Sequence, residues 1–339
     1  MSNTSQKWQI PVCYDPAMVA ESGSYSPSAA KPKAVVAAWQ ALNLPLDIKQ
    51  PEPVSLSQLF LAHDRDYVDA VMTGVRANGF GNRSPLVAQS LPWTSGAMLS
   101  AARAALSNGQ MAVAPCSGFH HAGYDYGGGF CTFNGLMVTA VSLLHEGIVS
   151  KVGILDLDQH WGDGTQNIID RLDLSSHVRH FHPSQIYRGQ YRPTHFLDSL
   201  PDLIEQFADC DLVLYQAGAD PHIDDPLGGW LTTEQLKQRD YLVFRELLRL
   251  GCLLPGTWPA GISAMQMGRS VPYWRSISIH SSNVTRCSAV TMDWIKQILL
   301  TREKRYVVNN DHWLLQHCGK GGRPPGRQAD NSGTRPERP

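Results

Sequence analysis

The chain has 339 residues, of which 42% are hydrophobic and 17% are charged. This composition can bury one large core, so we expect one main domain of the α/β class. The net charge of -1 at pH 7 lacks the electrostatic footprint of a nucleic-acid or membrane-surface binder, and we expect neither partner.

Helices and strands alternate along most of the chain. Caps and apolar patterns predict, in chain order, a helix over 94–107, a strand over 111–114, a helix over 134–145, strands over 152–157 and 212–215, and a helix over 232–250. This alternation predicts a mostly parallel sheet with helices on both faces. The stretch 319–339 is rich in Gly, Pro and Arg, and we expect it to be a disordered tail.

Each predicted strand leads into side chains that ligate metals or transfer protons. They are His120 and His121 after the first strand, Asp156, Asp158, His160 and Asp163 at the end of the second, and Asp220 after the third. Taken alone, a histidine pair is usually a surface or core feature, and an aspartate at a strand end is often a helix cap. Ligands of open parallel sheets bind at the carboxyl ends of the strands, so three such clusters together favour a functional site.

Asp158, His160 and Asp220 offer one imidazole and two carboxylates. This donor set leaves room for a water molecule and is typical of catalytic rather than structural zinc. Asp158 and His160 are two residues apart, and we expect them to converge through an extended chain segment.

These motifs resemble those of histone deacetylase-like amidohydrolases, which include bacterial acetylpolyamine amidohydrolases. The resemblance runs from about Ile10 to Gly251 and is carried by His120-His121-Ala122, residues 128–134, residues 156–165, Gly218-Ala219-Asp220-Pro221-His222 and residues 225–228. It implies the arginase/deacetylase fold, a three-layer α/β/α architecture with a mostly parallel central sheet, in a domain spanning 10–300. It also implies removal of acetyl or other acyl groups from amines such as acetyl-lysine or acetylpolyamines.

The family pattern further implies roles for individual residues. Asp158, His160 and Asp220 would hold one Zn²⁺ per chain, with His121 as general base and His120 as proton donor. Asp156 and Asp163 would orient these histidines, and Gly129 and Phe130 would line a narrow substrate tube.

The chain departs from the family pattern at three places, and the first two are short sequence differences. Many relatives carry His-Pro-Glu-Ser-Pro-Glu-Arg near the start, where this chain has residues 24–32, so the entrance loop and the substrate class are in doubt. Trp161 replaces a histidine that commonly follows the ligand His160, at a position that is not itself a ligand.

A third departure concerns the catalytic tyrosine. The family places it in a Gly-Gly-Tyr turn to stabilise the oxyanion, but this chain reads Pro255-Gly256-Thr257-Trp258-Pro259-Ala260-Gly261-Ile262-Ser263. When these residues are back-translated and the bases are regrouped from the third base of the first codon, they can encode Trp-Asn-Leu-Ala-Gly-Gly-Tyr-Gln. We therefore treat 254–300 as a doubtful segment with a suspected frameshift; a divergent natural loop is the alternative.

Two rival functions remain open at this point. A binuclear manganese ureohydrolase would need further carboxylates where Gly162 and His222 stand, which disfavours two metals. A non-catalytic metal-binding or ligand-binding pseudoenzyme of the same fold is compatible with the missing tyrosine.

The seven cysteines are scattered, and none forms a Cys-x-x-Cys pair, which argues against both a disulfide framework and a zinc knuckle. The start of the chain is polar, and the longest apolar stretch, 136–144, is too short to cross a bilayer. We expect a cytoplasmic protein with a small-molecule or peptide acetyl-amine as its substrate. Self-association into a homo-oligomer is compatible with the sequence.

Overall fold

A parallel β-sheet forms the centre of the protein. The computed structural model describes residues 9–24, 26, 28–116, 119–187, 192–225, 229–250 and 261–266, the last as backbone only. These residues belong to one compact unit, 1–299. The predicted tail at 319–339 and the doubtful segment 254–300, apart from 261–266, lie outside the described residues.

Every strand pairing in the described sheet is parallel. The strands are β1 (Ile10–Cys13), β2 (Leu46–Lys49), β3 (Ala112–Ala114), β4 (Val152–Asp156), β5 (Val178–Phe181), β6 (Leu212–Gly218) and β7 (Gly261–Gln266). Their order across the sheet is β2-β1-β3-β7-β6-β4-β5. The carboxyl ends of β3, β4 and β6 therefore meet at one edge, as the sequence predicts.

The sheet separates two hydrophobic cores. In β4 and β6, Ile154 and Leu214 face one core, whereas Leu155 and Tyr215 face the other. All four side chains are buried, and truncating such a core leucine to alanine typically costs about 2–5 kcal/mol. This alternation along both strands produces the three-layer α/β/α architecture.

Helices cover both faces of the sheet. They are α1 (Lys31–Ala41), α2 (Leu56–Ala62), α3 (Arg65–Met72), α4 (Pro85–Asn108), α5 (Gly135–His145), α6 (Asp163–Arg171), α7 (Ser184–Tyr187), α8 (Pro193–Glu205) and α9 (Thr233–Leu250). Residues of α2 to α6 line the first core, and residues of α1, α8 and α9 line the second. No described helix is both long and apolar enough to cross a membrane.

The three predicted helices are confirmed, with one difference in length. α5 begins after Asn134, whose side chain accepts a hydrogen bond from the Met137 amide, and α9 spans nearly the whole predicted range. α4 starts nine residues earlier than predicted, because Ser84 caps it and Pro85 occupies its first turn.

Candidate functional site

The candidate metal ligands lie together at the carboxyl edge of the sheet. Ligand atoms of Asp158, His160 and Asp220 all lie within 4.8 Å of one another. His160 Nδ1 is 2.7 Å from Asp220 Oδ2 and 3.3 Å from Asp158 Oδ1. Ligands of a tetrahedral zinc ion lie about 3.3 Å apart, given bonds of about 2 Å, so the size of the cluster fits one ion.

The chemistry of this cluster also fits a cation. Asp158 and Asp220 are buried, and the Oδ2 atom of Asp158 has no hydrogen-bond partner among the described residues. A buried carboxylate oxygen without a donor is unstable unless a cation compensates it. The two carboxylates and one imidazole also leave a fourth ligand position open, as catalytic zinc sites do.

The close contacts within this cluster shift the pKa values of its members. Burial, together with the charge of Asp158, raises the pKa of Asp220 to about 6. Hydrogen bonds that His160 donates to Asp158 and Asp220 raise the pKa of His160 to about 10. Since metal ligands must be deprotonated, a bound cation would displace these protons.

A bend, rather than an extended segment, makes Asp158 and His160 converge. β4 ends at Asp156, and the chain bends over residues 158–160, so the expectation of an extended chain is wrong. The His160 amide donates to Asp158 Oδ1 at 2.8 Å, and the Gln159 amide donates to Asp220 Oδ1 at 3.0 Å. Side-chain acceptors for backbone amides therefore shape the bend, as they do in turns.

Gly218 allows Asp158 to approach β6. A Cβ atom at residue 218 would lie 2.5 Å from Asp158 Cα and 2.8 Å from Asp158 Oδ2. Any larger residue at position 218 would therefore displace a candidate ligand.

Each of the paired histidines lies against its own aspartate. His120 Nδ1 is 2.8 Å from Asp156 Oδ2, and His121 Nδ1 is 2.6 Å from Asp163 Oδ1. The two imidazole rings are 4.2 Å apart. His120 Nε2 is 3.7 Å from Asp158 Oδ1, so this nitrogen is directed toward the candidate metal cluster.

Burial distinguishes the two histidine–aspartate pairs. The side chains of His120 and Asp156 are fully buried, whereas those of His121 and Asp163 are 19% and 49% exposed. Burial lowers the pKa of His120, but the charges of Asp156 and Asp158 outweigh this and raise it to about 9. Burial and the nearby charge of His120 lower the pKa of His121. At neutral pH, His120 therefore carries a proton that it can donate, and His121 is free to accept one.

Gly129 and Phe130 lie beside His121 and have unusual backbone conformations. Their φ angles are 54° and 66°, in the left-handed region. A Cβ atom on Gly129 would lie 2.5 Å from the His121 ring, so this position needs glycine. The ring of Phe130 packs 5.8 Å from the ring of Phe80, a residue that the sequence analysis does not identify.

Two histidines at the end of β5, His180 and His182, were not predicted from the sequence. His182 Nε2 lies 2.9 Å from the carbonyl oxygen of Asp158, and His180 Nε2 lies 3.9 Å from Asp156 Oδ2. Trp161 stacks on His180, with 5.3 Å between the ring centroids. The strand-end rule would have found both histidines had β5 been predicted.

Comparison with known proteins gives consistent relatives. Residues 28–195 match the model of the histone deacetylase domain. An uncharacterised protein of Picosynechococcus sp. is 31% identical over 245 residues, which cover 64% of this chain and 81% of that protein. Acetylpolyamine amidohydrolase 2 of Pseudomonas aeruginosa is 48% identical, but only over 56 residues, or 16% of each chain.

A solved structure confirms the fold class. The acetylpolyamine aminohydrolase of Burkholderia pseudomallei superposes with a TM-score of 0.62, over 84% of this chain and 98% of that one. Its sequence identity of 17% makes this a likeness of fold alone. The predicted three-layer α/β/α architecture of the arginase/deacetylase fold is thereby confirmed.

Proposed function

The chain belongs to the histone deacetylase-like family, and on this basis we propose that it is a zinc-dependent amidohydrolase that removes acetyl or other acyl groups from acetylated amines. The observation that carries the proposal is the cluster of Asp158, His160 and Asp220 beside two histidine–aspartate pairs. The Pseudomonas aeruginosa relative, which is named for acetylated polyamines, supports small acetylated amines as substrates.

In this proposal, Asp158, His160 and Asp220 hold one zinc ion per chain. When bound, zinc would supply Lewis-acid polarisation of the amide carbonyl and a lower pKa for water. Gly129 and Phe130 would line the entry for the acyl-amine chain, next to His121. We also propose a deacetylase-like domain over 10–300, a tail over 319–339 and a cytoplasmic location.

The two histidines divide the proton transfers between them. Because Nδ1 of each ring faces an aspartate, Nε2 is the nitrogen available to the substrate. His121 accepts a proton from the attacking water as its oxygen adds to the carbonyl carbon. His120 then donates a proton to the amine nitrogen as the C–N bond breaks, which yields a carboxylic acid and a free amine. Asp156 and Asp163 keep both rings in the required tautomer.

The rival functions receive less support. A second metal would need a carboxylate at position 222, where this chain has His222, whose Nε2 lies 2.8 Å from Thr233 Oγ1 and whose Nδ1 accepts from the Asp224 amide. A pseudoenzyme of the same fold would bind zinc without turnover, and activity measurements separate it from the enzyme.

The test combines metal analysis with turnover. We expect the purified protein to contain about one zinc per chain and to hydrolyse acetyl-lysine or acetylpolyamine substrates when zinc is present. Asp220→Asn should lose the metal, whereas Asp209→Asn, which alters a surface aspartate paired with Arg179, should retain it. A protein without metal would refute the proposal, and zinc without any turnover would identify a binding protein.

A further inference from the structure

A buried arginine lies behind the candidate metal ligands. Arg239 belongs to α9, and only 2% of its surface is exposed. Its Nη1 donates to the carbonyl oxygens of Gly218 at 2.6 Å and Leu157 at 3.2 Å. Leu157 directly precedes Asp158, and Gly218 lies two residues before Asp220. One guanidinium nitrogen therefore joins the two segments that carry the ligand carboxylates.

The guanidinium group is itself held from its other side. Its Nε and Nη2 atoms each lie 2.8 Å from Asp240 Oδ1, and the Tyr215 hydroxyl donates to the same oxygen at 2.5 Å. Asp240 is also buried. Burying a charged pair is costly unless its geometry is good and its donors are used. The buried Arg239–Asp240 pair therefore calls for a structural role that its geometry can explain.

The position of Arg239 relative to β4 and β6 indicates that role. Pairing between β4 and β6 extends to the Leu157 amide, which donates to the Gln216 carbonyl oxygen at 3.0 Å. Beyond that bond, Arg239 links the two segments through side-chain donors. The planar guanidinium presents its N–H groups in a fixed fork, so it can set the distance between two backbones.

We propose that Arg239 is a positioning residue for the metal centre, because it fixes the separation of the segments that carry Asp158 and Asp220. This inference rests on the proposed function, which assigns those two residues as ligands. A lysine at position 239 keeps the charge but has a single nitrogen, which cannot hold Asp240 and both carbonyl oxygens in the same geometry.

Arg245 provides a matched control on the same helix. It also precedes an acidic residue, and its Nε donates to Glu246 Oε1 at 2.7 Å. Its side chain is 46% exposed, and it lies on a part of α9 away from the ligand segments. Arg245→Lys therefore makes the same chemical change in a neighbouring Arg–acid pair without touching the metal centre.

The experiment measures zinc affinity by competition with a chelator in the full-length protein, with thermal unfolding of each metal-free protein recorded in parallel. Arg239→Lys should weaken zinc binding by about tenfold or more, the lower end of the effect of groups that orient metal ligands. Arg245→Lys should bind zinc as the original protein does. The visible absorption of Co²⁺-loaded protein should change in Arg239→Lys alone, because it reports ligand geometry and a merely structural loss would leave it unaltered.

If Arg239→Lys does not fold, Tyr215→Phe carries the test, since it removes the hydroxyl that holds Asp240. It should weaken zinc binding in the same direction, and unchanged affinity in the folded variant would overturn the inference. Equal zinc affinities in Arg239→Lys and Arg245→Lys would overturn it as well while leaving the proposed function intact. Absence of zinc binding in the original protein would overturn both.

Discussion

His120 and His121 are adjacent in the sequence, but their side chains have different surroundings. The side chain of His120 is fully buried against Asp156, whereas that of His121 is partly exposed beside Asp163. Burial lowers the pKa of both rings, but the charges of Asp156 and Asp158 outweigh it at His120 and raise that pKa, whereas the charge of His120 lowers the pKa of His121 further. In the proposed mechanism, the different roles of proton donor and base therefore come from the position of each ring relative to solvent and charge, and not from the residue type.

Substitutions of Asp156 and Asp163 should differ in their effect on the free energy of unfolding. Burial would raise the pKa of Asp156, but the charge and hydrogen bond of His120 outweigh it and hold this pKa well below its usual range. Asp156→Asn leaves the His120 cation buried beside a neutral group, and we expect a loss of about 3 kcal/mol in the free energy of unfolding. Asp163→Asn alters a half-exposed pair and should cost at most about 1 kcal/mol.

Urea unfolding of the metal-free proteins at pH 7 measures this difference. The two substitutions are matched because each replaces the carboxylate partner of a histidine Nδ1. Equal losses would show that burial does not distinguish the two pairs.

Among the elements, β5 shows why part of the site was missed. The strands predicted from sequence are nearly continuous apolar runs, whereas β5 reads Val178-Arg179-His180-Phe181, in which the side chain of Arg179 is partly exposed and that of His180 is buried. The sequence at an edge position of the sheet does not need to be apolar, so the apolar-run signal is absent there. Because β5 was not predicted, His180 and His182 were not identified as residues at the carboxyl end of a strand.

A buried histidine joins α2 to α5. His63 Nδ1 lies 2.9 Å from the Gly123 carbonyl oxygen, and its Nε2 accepts from the Asn134 amide at 2.9 Å. Because the Asn134 amide donates, the hydrogen of the neutral ring is on Nδ1. The contact positions Asn134, which caps α5.

This contact predicts a loss of stability in acid. Burial lowers the pKa of His63 from 6.5 to about 4, so between these values the unfolded chain binds a proton that the folded chain does not. The contribution is therefore complete above pH 6.5 and is lost as the pH falls toward 4. Its size is about 3 kcal/mol, at about 1.4 kcal/mol per pH unit.

The measurement is urea unfolding at several values between pH 7.5 and 4.5. His63→Gln should be less stable at pH 7.5 but should lose less on acidification. His177→Gln, which alters an exposed histidine, should follow the original protein. Parallel curves for the original protein and His63→Gln would contradict the assignment.

For the whole molecule, the missing Gly-Gly-Tyr turn has the largest consequence. Within the stretch where the turn is expected, 255–263, residues 255–260 lie outside the described residues, while Gly261–Gln266 form β7 between β3 and β6. If the frame is restored to Trp-Asn-Leu-Ala-Gly-Gly-Tyr-Gln, we expect deacetylation to rise by about 10²–10³-fold, the typical effect of one oxyanion donor.

Sequencing the gene from independent isolates and assaying both versions of the chain test this prediction. An intact frame through this stretch in every isolate would favour the divergent loop. Equal activity of the two chains would show that the tyrosine is not needed here. The zinc content should be the same in both, because the candidate metal ligands precede the altered segment.

The sequence by itself determined which residues could form the site. Apolar runs, helix caps and the residues after each strand are local features, and they were sufficient to predict the sheet and to identify the three candidate metal ligands and the histidine pair. The tertiary structure decided what depends on contacts between distant segments. It set the burial of His120 against the exposure of His121, the bend at residues 158–160 and the link from Arg239 to two strand ends. Burial and side-chain hydrogen bonds arise only when the segments pack, so no local pattern in the sequence records them.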